Sequence, residues 1–142
     1  MKEVTIYTDG ACSGNPGKGG WGAILIYNGK EKEISGNEEN TTNNRMEMTA
    51  VIKALKALKE PCKVYLHTDS NYIVNAFNKG WVYNWRDKAW MNGTSPRKNK
   101  DLWIELLELS KIHKIKWIKV KGHSDDIINN RADKLAVNSI KK

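Results

Sequence analysis

The chain has 142 residues, enough for one domain with a real core, and its 39% hydrophobic and 28% charged content is ordinary for a water-soluble globular fold. No apolar run reaches the roughly 18 residues of a membrane span, no hydrophobic leader opens the chain, and Cys12 and Cys62 lack metal-type spacing, so a reducing cytoplasm is the expected compartment. A net charge of +8 favours a polyanionic partner, most simply nucleic acid, although a basic protein without such a partner would carry the same charge.

Residues 3–9 alternate, with Val4 and Ile6 on one side and Thr5, Tyr7 and Asp9 on the other, which predicts a first strand. A glycine-rich loop follows over residues 10–20. Residues 21–27 read as a second strand, Asn28-Gly29 as a two-residue hairpin turn, and residues 30–36 as a charged edge strand. From residue 44 to 59 the period becomes helical through Met46, Ala50, Val51, Ala54, Leu55 and Leu58, and Pro61 closes the helix. Residues 63–68 alternate again. A helix between two strands implies a right-handed crossover and parallel pairing, which sets this fourth strand beside the first. A short helix is expected over 70–79 and a longer one over 100–111. A fifth strand is expected over 115–120, a polar loop over 122–129 and a last helix over 130–140. One α/β domain over residues 1–142 accounts for the whole pattern.

Two segments echo each other: Ile6-Tyr7-Thr8-Asp9-Gly10 and Leu66-His67-Thr68-Asp69-Ser70. Each ends a strand in Thr-Asp, and parity brings both aspartates to the same sheet end, where open α/β sheets bind ligands. Singly, either could cap a turn; together they favour metal ligation. Glu47, three residues after Asn44, has the spacing of a capping box, and on its own that simpler role would win. Asp133 alone reads as a polar helix position. Four converging carboxylates would repel unless a hard divalent cation such as Mg²⁺ or Mn²⁺ sat among them. His123 lies in the polar loop, where a histidine is often only solvated but is also a natural proton carrier. Between Lys79 and Lys100, six basic residues (Lys79, Arg86, Lys88, Arg97, Lys98, Lys100) stand against one acid, Asp87. Trp81, Trp85 and Trp90 lie among them and are expected along one helical side. Core packing with a solvated charged face is the plainer reading. A lobe gripping phosphates and bases is the favoured one.

With these segments in this order, the chain resembles the type 1 ribonuclease H family, bacterial ribonuclease HI in particular. The motifs carrying the resemblance are Tyr7-Thr8-Asp9-Gly10 with Gly14-Asn15-Pro16-Gly17, Thr42-Asn43-Asn44-Arg45-Met46-Glu47, Thr68-Asp69-Ser70, Trp81 through Trp90, Val120-Lys121-Gly122-His123-Ser124 and Asn130-Arg131-Ala132-Asp133.

The resemblance implies a ribonuclease H-like α/β fold: a five-stranded mixed sheet of order 3-2-1-4-5 with helices on both faces. It implies endonucleolytic hydrolysis of the RNA strand of RNA–DNA hybrids, leaving 5′-phosphate and 3′-hydroxyl ends. It makes Asp9, Glu47, Asp69 and Asp133 the ligands of two Mg²⁺ ions, with Mn²⁺ as a substitute, and gives His123 a part in proton transfer or product release. Minor-groove contacts to the RNA fall to Cys12, Gly14, Asn15, Asn43, Asn71 and Glu47. The DNA strand passes Trp81, Trp85 and Tyr72, with one phosphate held by Thr42 and Asn99. A hybrid duplex as partner, a monomer and no obligatory protein partner are the matching expectations. Some relatives carry arginine two residues before the pocket threonine; here Asn40 stands there. Residues 125–128 are more acidic and apolar than the pattern suggests. A junction resolvase of the same superfamily and a non-catalytic hybrid-binding module are the rival readings.

Overall fold

A computed structural model of the chain describes residues 1–121 and 126–141. β1 (Lys2–Cys12), β2 (Gly17–Tyr27) and β3 (Lys30–Thr41) form an antiparallel meander. Its β2–β3 turn is Asn28-Gly29, with φ of 50° and 75°, the left-handed pair that a tight two-residue hairpin requires. α1 (Asn43–Lys56) crosses over to β4 (Cys62–Thr68), which pairs parallel to β1. Then come α2 (Asn71–Asn78), α3 (Trp81–Asp87), a two-stranded ribbon of β5 (Met91–Asn92) and β6 (Ser95–Pro96), and α4 (Lys100–Ile112). β7 (Lys114–Lys119) pairs parallel to β4, and α5 (Ile127–Ile140) ends the chain. The main sheet has the order β3-β2-β1-β4-β7. With β7 as its fifth strand, this is the expected order 3-2-1-4-5.

Alternation in the strands divides the protein into two layers of side chains. Val4 and Ile6 of β1, Ala23 and Leu25 of β2, and Val64 and Leu66 of β4 turn toward α1 and α4, where Met48, Val51, Leu55, Trp103 and Leu106 complete the core. Trp103 is fully buried, and its Nε1 donates to the Tyr72 hydroxyl at 3.0 Å, so the large ring enters the core without an unpaired N–H. The opposite face belongs to α5. Gly20 and Gly22 lie directly under that helix, and a Cβ on Gly22 would stand 2.5 Å from the Leu135 Cβ. Arg131 ties α5 to the edge strand through Glu31 at 3.0 Å and Glu33 at 2.7 Å, and Asn37 Nδ2 donates to Ser139 O at 3.1 Å.

Several boundaries differ from the sequence expectation for identifiable reasons. The glycine cluster is mostly strand, because bare positions in β2 let the helices approach the sheet, and the true loop spans only residues 13–16. β3 runs on to Thr41 rather than ending at 36. The N-cap of α1 is Thr42, whose Oγ1 accepts from Arg45 N at 3.2 Å, so Glu47 lies beyond the first turn and does not close a capping box with Asn44. α5 begins at Ile127, earlier than expected, because the Asp126 carboxylate caps Ile128 N and Asn129 N.

The α4–β7 junction supplies a pH-sensitive joint. His113 is buried, and its Nδ1 accepts from Cys62 N at 3.1 Å. Burial holds its pKa below the usual 6.5. Below that value the unfolded chain binds a proton that the folded protein refuses, so stability falls as the pH falls. Thermal melts from pH 7 to pH 5 should show wild type losing stability relative to His113→Gln as the pH falls; a constant difference between the two would remove His113 as a source of acid sensitivity.

Candidate active site

The β1–β4 register pairs Tyr7 with His67, and their rings stack at 4.3 Å with 10° between planes. Two residues further along, the same parity sets Asp9 and Asp69 side by side where β4 ends, although β1 itself runs on to Cys12 and so does not end at Asp9 as the sequence suggests. Gly10 takes the opposite side, where α1 presses so closely that no Cβ fits. This close approach delivers Glu47: its Oε1 accepts from Gly10 N at 2.6 Å, and its Oε2 lies 3.4 Å from Thr68 Oγ1. Asp9 Oδ1 accepts from the same amide at 2.9 Å. Asp9, Glu47 and Asp69 each offer a carboxylate oxygen within 4.8 Å of the others. Asp133 arrives from α5 and lines the same cavity, outside the group of three whose oxygens lie within 4.8 Å. The cavity holds about 340 Å³.

The electrostatics are those of a site built around positive charge. Asp9 is 6% exposed and Glu47 4%. Burial, with Asp69 and Asp133 adding to it, pushes Asp9 up to about 7, against the opposing hydrogen bonds with Glu47 and Gly10 N. Burial and the contact with Asp9 likewise hold Glu47 well above its ordinary range. Two buried carboxylates cannot both ionise cheaply side by side. A set of hard carboxylate oxygens matches Mg²⁺ or Mn²⁺ and not a soft metal, and a divalent cation would reverse both shifts. The donor set therefore fits the metal that the sequence implied.

The other expected site residues fall into three places. Around the β1–β2 loop, Cys12 Sγ donates to Gly14 O at 2.6 Å and Asn15 Oδ1 accepts from Asn43 N at 2.9 Å. Asn43 and Asn71 line the carboxylate cavity with Tyr72. A second cavity of about 390 Å³ lies between Asn15, Thr42, Asn43, Asn44, Lys98 and Asn99. Arg45 borders it without offering free charge, since its guanidinium forks onto Asp101 at 3.0 and 2.8 Å and holds Asn99 Oδ1 at 3.2 Å.

The tryptophans do not share one helical side. Trp81 is exposed on α3, whereas Trp85 and Trp90 pack against the core, and Trp90 lies beyond the helix in a left-handed conformation. Two of the three rings thus spend part of their surface on core packing and keep part of it exposed. Lys79 Nζ sits 5.4 Å from the Trp81 centroid and the Arg97 guanidinium 4.4 Å from that of Trp85, so aromatic and basic groups do interleave on this lobe. His123 lies outside the described residues. Sequence reading passed over Asn129, which also lines the carboxylate cavity.

A carboxylate-walled cleft at the C-terminal strand ends of a mixed α/β sheet defines a class, the metal-dependent nucleases. The family profile named RNase H matches residues 1–141, and the ribonuclease H of Caldanaerobacter subterraneus subsp. tengcongensis is 64% identical over 140 residues, covering 98% of this chain and 92% of that one. The chain belongs to the ribonuclease H family. Among solved structures, LC9-RNase H1, described as a type 1 RNase H with the type 2 active-site motif, superposes with a TM-score of 0.90 at 31% identity, covering 99% of this chain and 73% of its own. LC11-RNase H1, crystallised in complex with an RNA/DNA hybrid, shares the fold with a TM-score of 0.76 at 24% identity, over 97% of this chain and 96% of that one.

Proposed function

We propose that this protein is an endoribonuclease that hydrolyses the RNA strand of RNA–DNA hybrids, leaving 5′-phosphate and 3′-hydroxyl ends. The observation that carries the proposal is the convergence of Asp9, Glu47 and Asp69 within 4.8 Å, with Asp133 beside them, in a chain matched by the RNase H profile over residues 1–141. Asp9, Glu47, Asp69 and Asp133 would hold two Mg²⁺ ions, with Mn²⁺ able to replace them. Bound there, the ions supply an activated water and offset the charge that develops on the departing 3′-oxygen.

The chain's own groups prepare that site. Gly10 N–H orients Glu47 and Asp9 together, so both carboxylates are aimed before any cation arrives. Glu47 also faces the minor groove beside Cys12, Gly14, Asn15, Asn43 and Asn71, where the 2′-hydroxyl separates RNA from DNA. Thr42 and Asn99 cradle a phosphate of the DNA strand in the second cavity, and with Asn40 outside it the cation lining that cavity is Lys98. Tyr72, Trp81 and Trp85 carry the DNA strand onward. His123 assists proton transfer or release of the cut strand. No described helix is long and apolar enough to cross a membrane.

The first test is a gel assay of end-labelled hybrid, double-stranded RNA, double-stranded DNA and single-stranded RNA, with Mg²⁺ and with chelator. Cleavage confined to the RNA of the hybrid and abolished by chelator is the expected result. Folded protein that binds hybrid without cutting it would leave a binding module, and cutting of branched DNA alone would leave a resolvase.

The aromatic lobe has its own test. Trp81→Ala should weaken hybrid binding by about 1 kcal/mol, roughly fivefold in Kd, and leave the rate at saturating hybrid little changed. Trp81 is 40% exposed, so the variant should fold normally. Unaltered affinity would remove this ring from the binding surface.

A further inference from the structure

Asn129 is buried with its side-chain oxygen unpaired. It is 4% exposed, it forms part of the wall of the carboxylate cavity, and its Oδ1 accepts no hydrogen bond among the described residues. The backbone beneath it is held firmly, since Asn129 N donates to Asp126 Oδ1 at 3.2 Å at the cap of α5. A carboxamide offers two donors and a two-lone-pair acceptor, and leaving such an acceptor dry and unpaired is costly. Buried polar groups in native proteins are nearly always paired, and the exceptions mark strain, catalysis or a bound water or ion.

Position narrows the missing partner. Asn129 stands one helical turn before Asp133, on the same face of α5. The same cavity carries Asp9, Glu47 and Asp69. So deep a group is out of reach of a bulky duplex strand, whereas water fits. Mg²⁺ gives up its hydration reluctantly and keeps several waters when carboxylates bind it. A neutral amide is suited to hold such water, because it can donate and accept without adding a fifth negative charge.

We infer that Asn129 is a positioning residue for the divalent cation, its carboxamide ordering water of the cation's hydration shell beside Asp133. The inference rests on the metal-dependent reading above and deepens it. Partners in the second layer around a metal commonly change affinity tenfold or more.

The experiment is calorimetric titration of Mg²⁺ and Mn²⁺ into metal-free protein with no nucleic acid present, with melting in chelator measured alongside. Wild type comes first: if it binds neither ion, the metal-dependent reading itself fails, and this inference fails with it. Given wild-type binding, Asn129→Ala should bind about tenfold more weakly and melt in chelator no lower than wild type, since it removes an unpaired buried polar group. Asn129→Asp, which keeps the acceptor, should bind at least as tightly as wild type and melt lower in chelator at pH 8, since it adds a carboxylate to the cluster. Wild-type affinity in Asn129→Ala overturns the inference. So does weaker binding accompanied by a lower melting temperature in chelator, which would make Asn129 a structural residue only.

Discussion

Replacing Asp9 by asparagine is expected to abolish hybrid cleavage while making the metal-free protein more stable at neutral pH. The loss of activity follows from the position of Asp9 between Glu47, Asp69 and Asp133: removing the central charge forfeits several kcal/mol of transition-state stabilisation, about three orders of magnitude in rate or more. Hybrid binding, which draws on the basic lobe and the second cavity, should survive. The gain in stability follows from linkage. The Asp9 carboxyl is held at about 7 in the folded protein against a usual 3.8. Between those values the folded protein keeps a proton that the unfolded chain has released, so the group favours folding at low pH and loses that contribution as the pH rises through 7. Asparagine removes the dependence. In chelator at pH 8, Asp9→Asn should gain on the order of 2–4 kcal/mol, and the gain should vanish near pH 4. Saturating Mg²⁺ should raise the melting temperature of wild type and leave the variant nearly unchanged. Activity surviving the substitution would remove Asp9 from the metal site. A variant no more stable than wild type at pH 8 would show that the cluster carries no buried-charge penalty.

Gly10→Ala should damage stability and activity together. The added Cβ would strike the α1 backbone at Glu47 N, with Met46 C only 2.5 Å away. Backbone has no rotamer to yield, so α1 must lift from β1 at a cost of about 3 kcal/mol. The same displacement pulls Glu47 from Gly10 N, where Oε1 sits at 2.6 Å, and misplacing a reacting constellation by about 1 Å costs roughly a hundredfold in rate. Denaturant melts and single-turnover cleavage would read the two effects. A variant of normal stability and rate would mean that β1 and α1 are not held as closely as the geometry implies.

The strands and most helices were legible because their apolar residues keep one period from end to end. Val4, Ile6, Val64 and Leu66 alternate cleanly, and the two Thr-Asp strand ends mark the same sheet edge. Residues that obey two demands were harder to read. Gly19 and Gly20 look like a loop in sequence yet form strand, because the requirement for bare backbone comes from helices distant along the chain. The ribbon of β5 and β6 is too short to leave a period. Trp85 and Trp90 carry a binding-lobe pattern but are half-buried against the core. In the candidate site the carboxylates stood out through the strand-end repeat and the family motifs. Asn129 did not, since an asparagine in a polar stretch is ordinary until the fold shows it buried with its side-chain oxygen unpaired.

A helix resting on bare backbone comes closer to the sheet than side chains would allow. Where α5 crosses Gly20 and Gly22, no sheet side chains stand up to lock its register. Its position along the strand is set by the buried Ala132, Ala136 and Ser139 together with polar ties, Arg131 to Glu31 and Glu33 and, at the far end, Asn37 to Ser139. The Arg131 pairs are partly exposed to solvent and so are weakened by salt. Asp9, Glu47 and Asp69 are held by the sheet and by the buried apolar face of α1. Three carboxylates of the site thus come from the sheet and α1 and the fourth from α5, so the fit of Asp133 to the other three depends on how α5 seats across the strands.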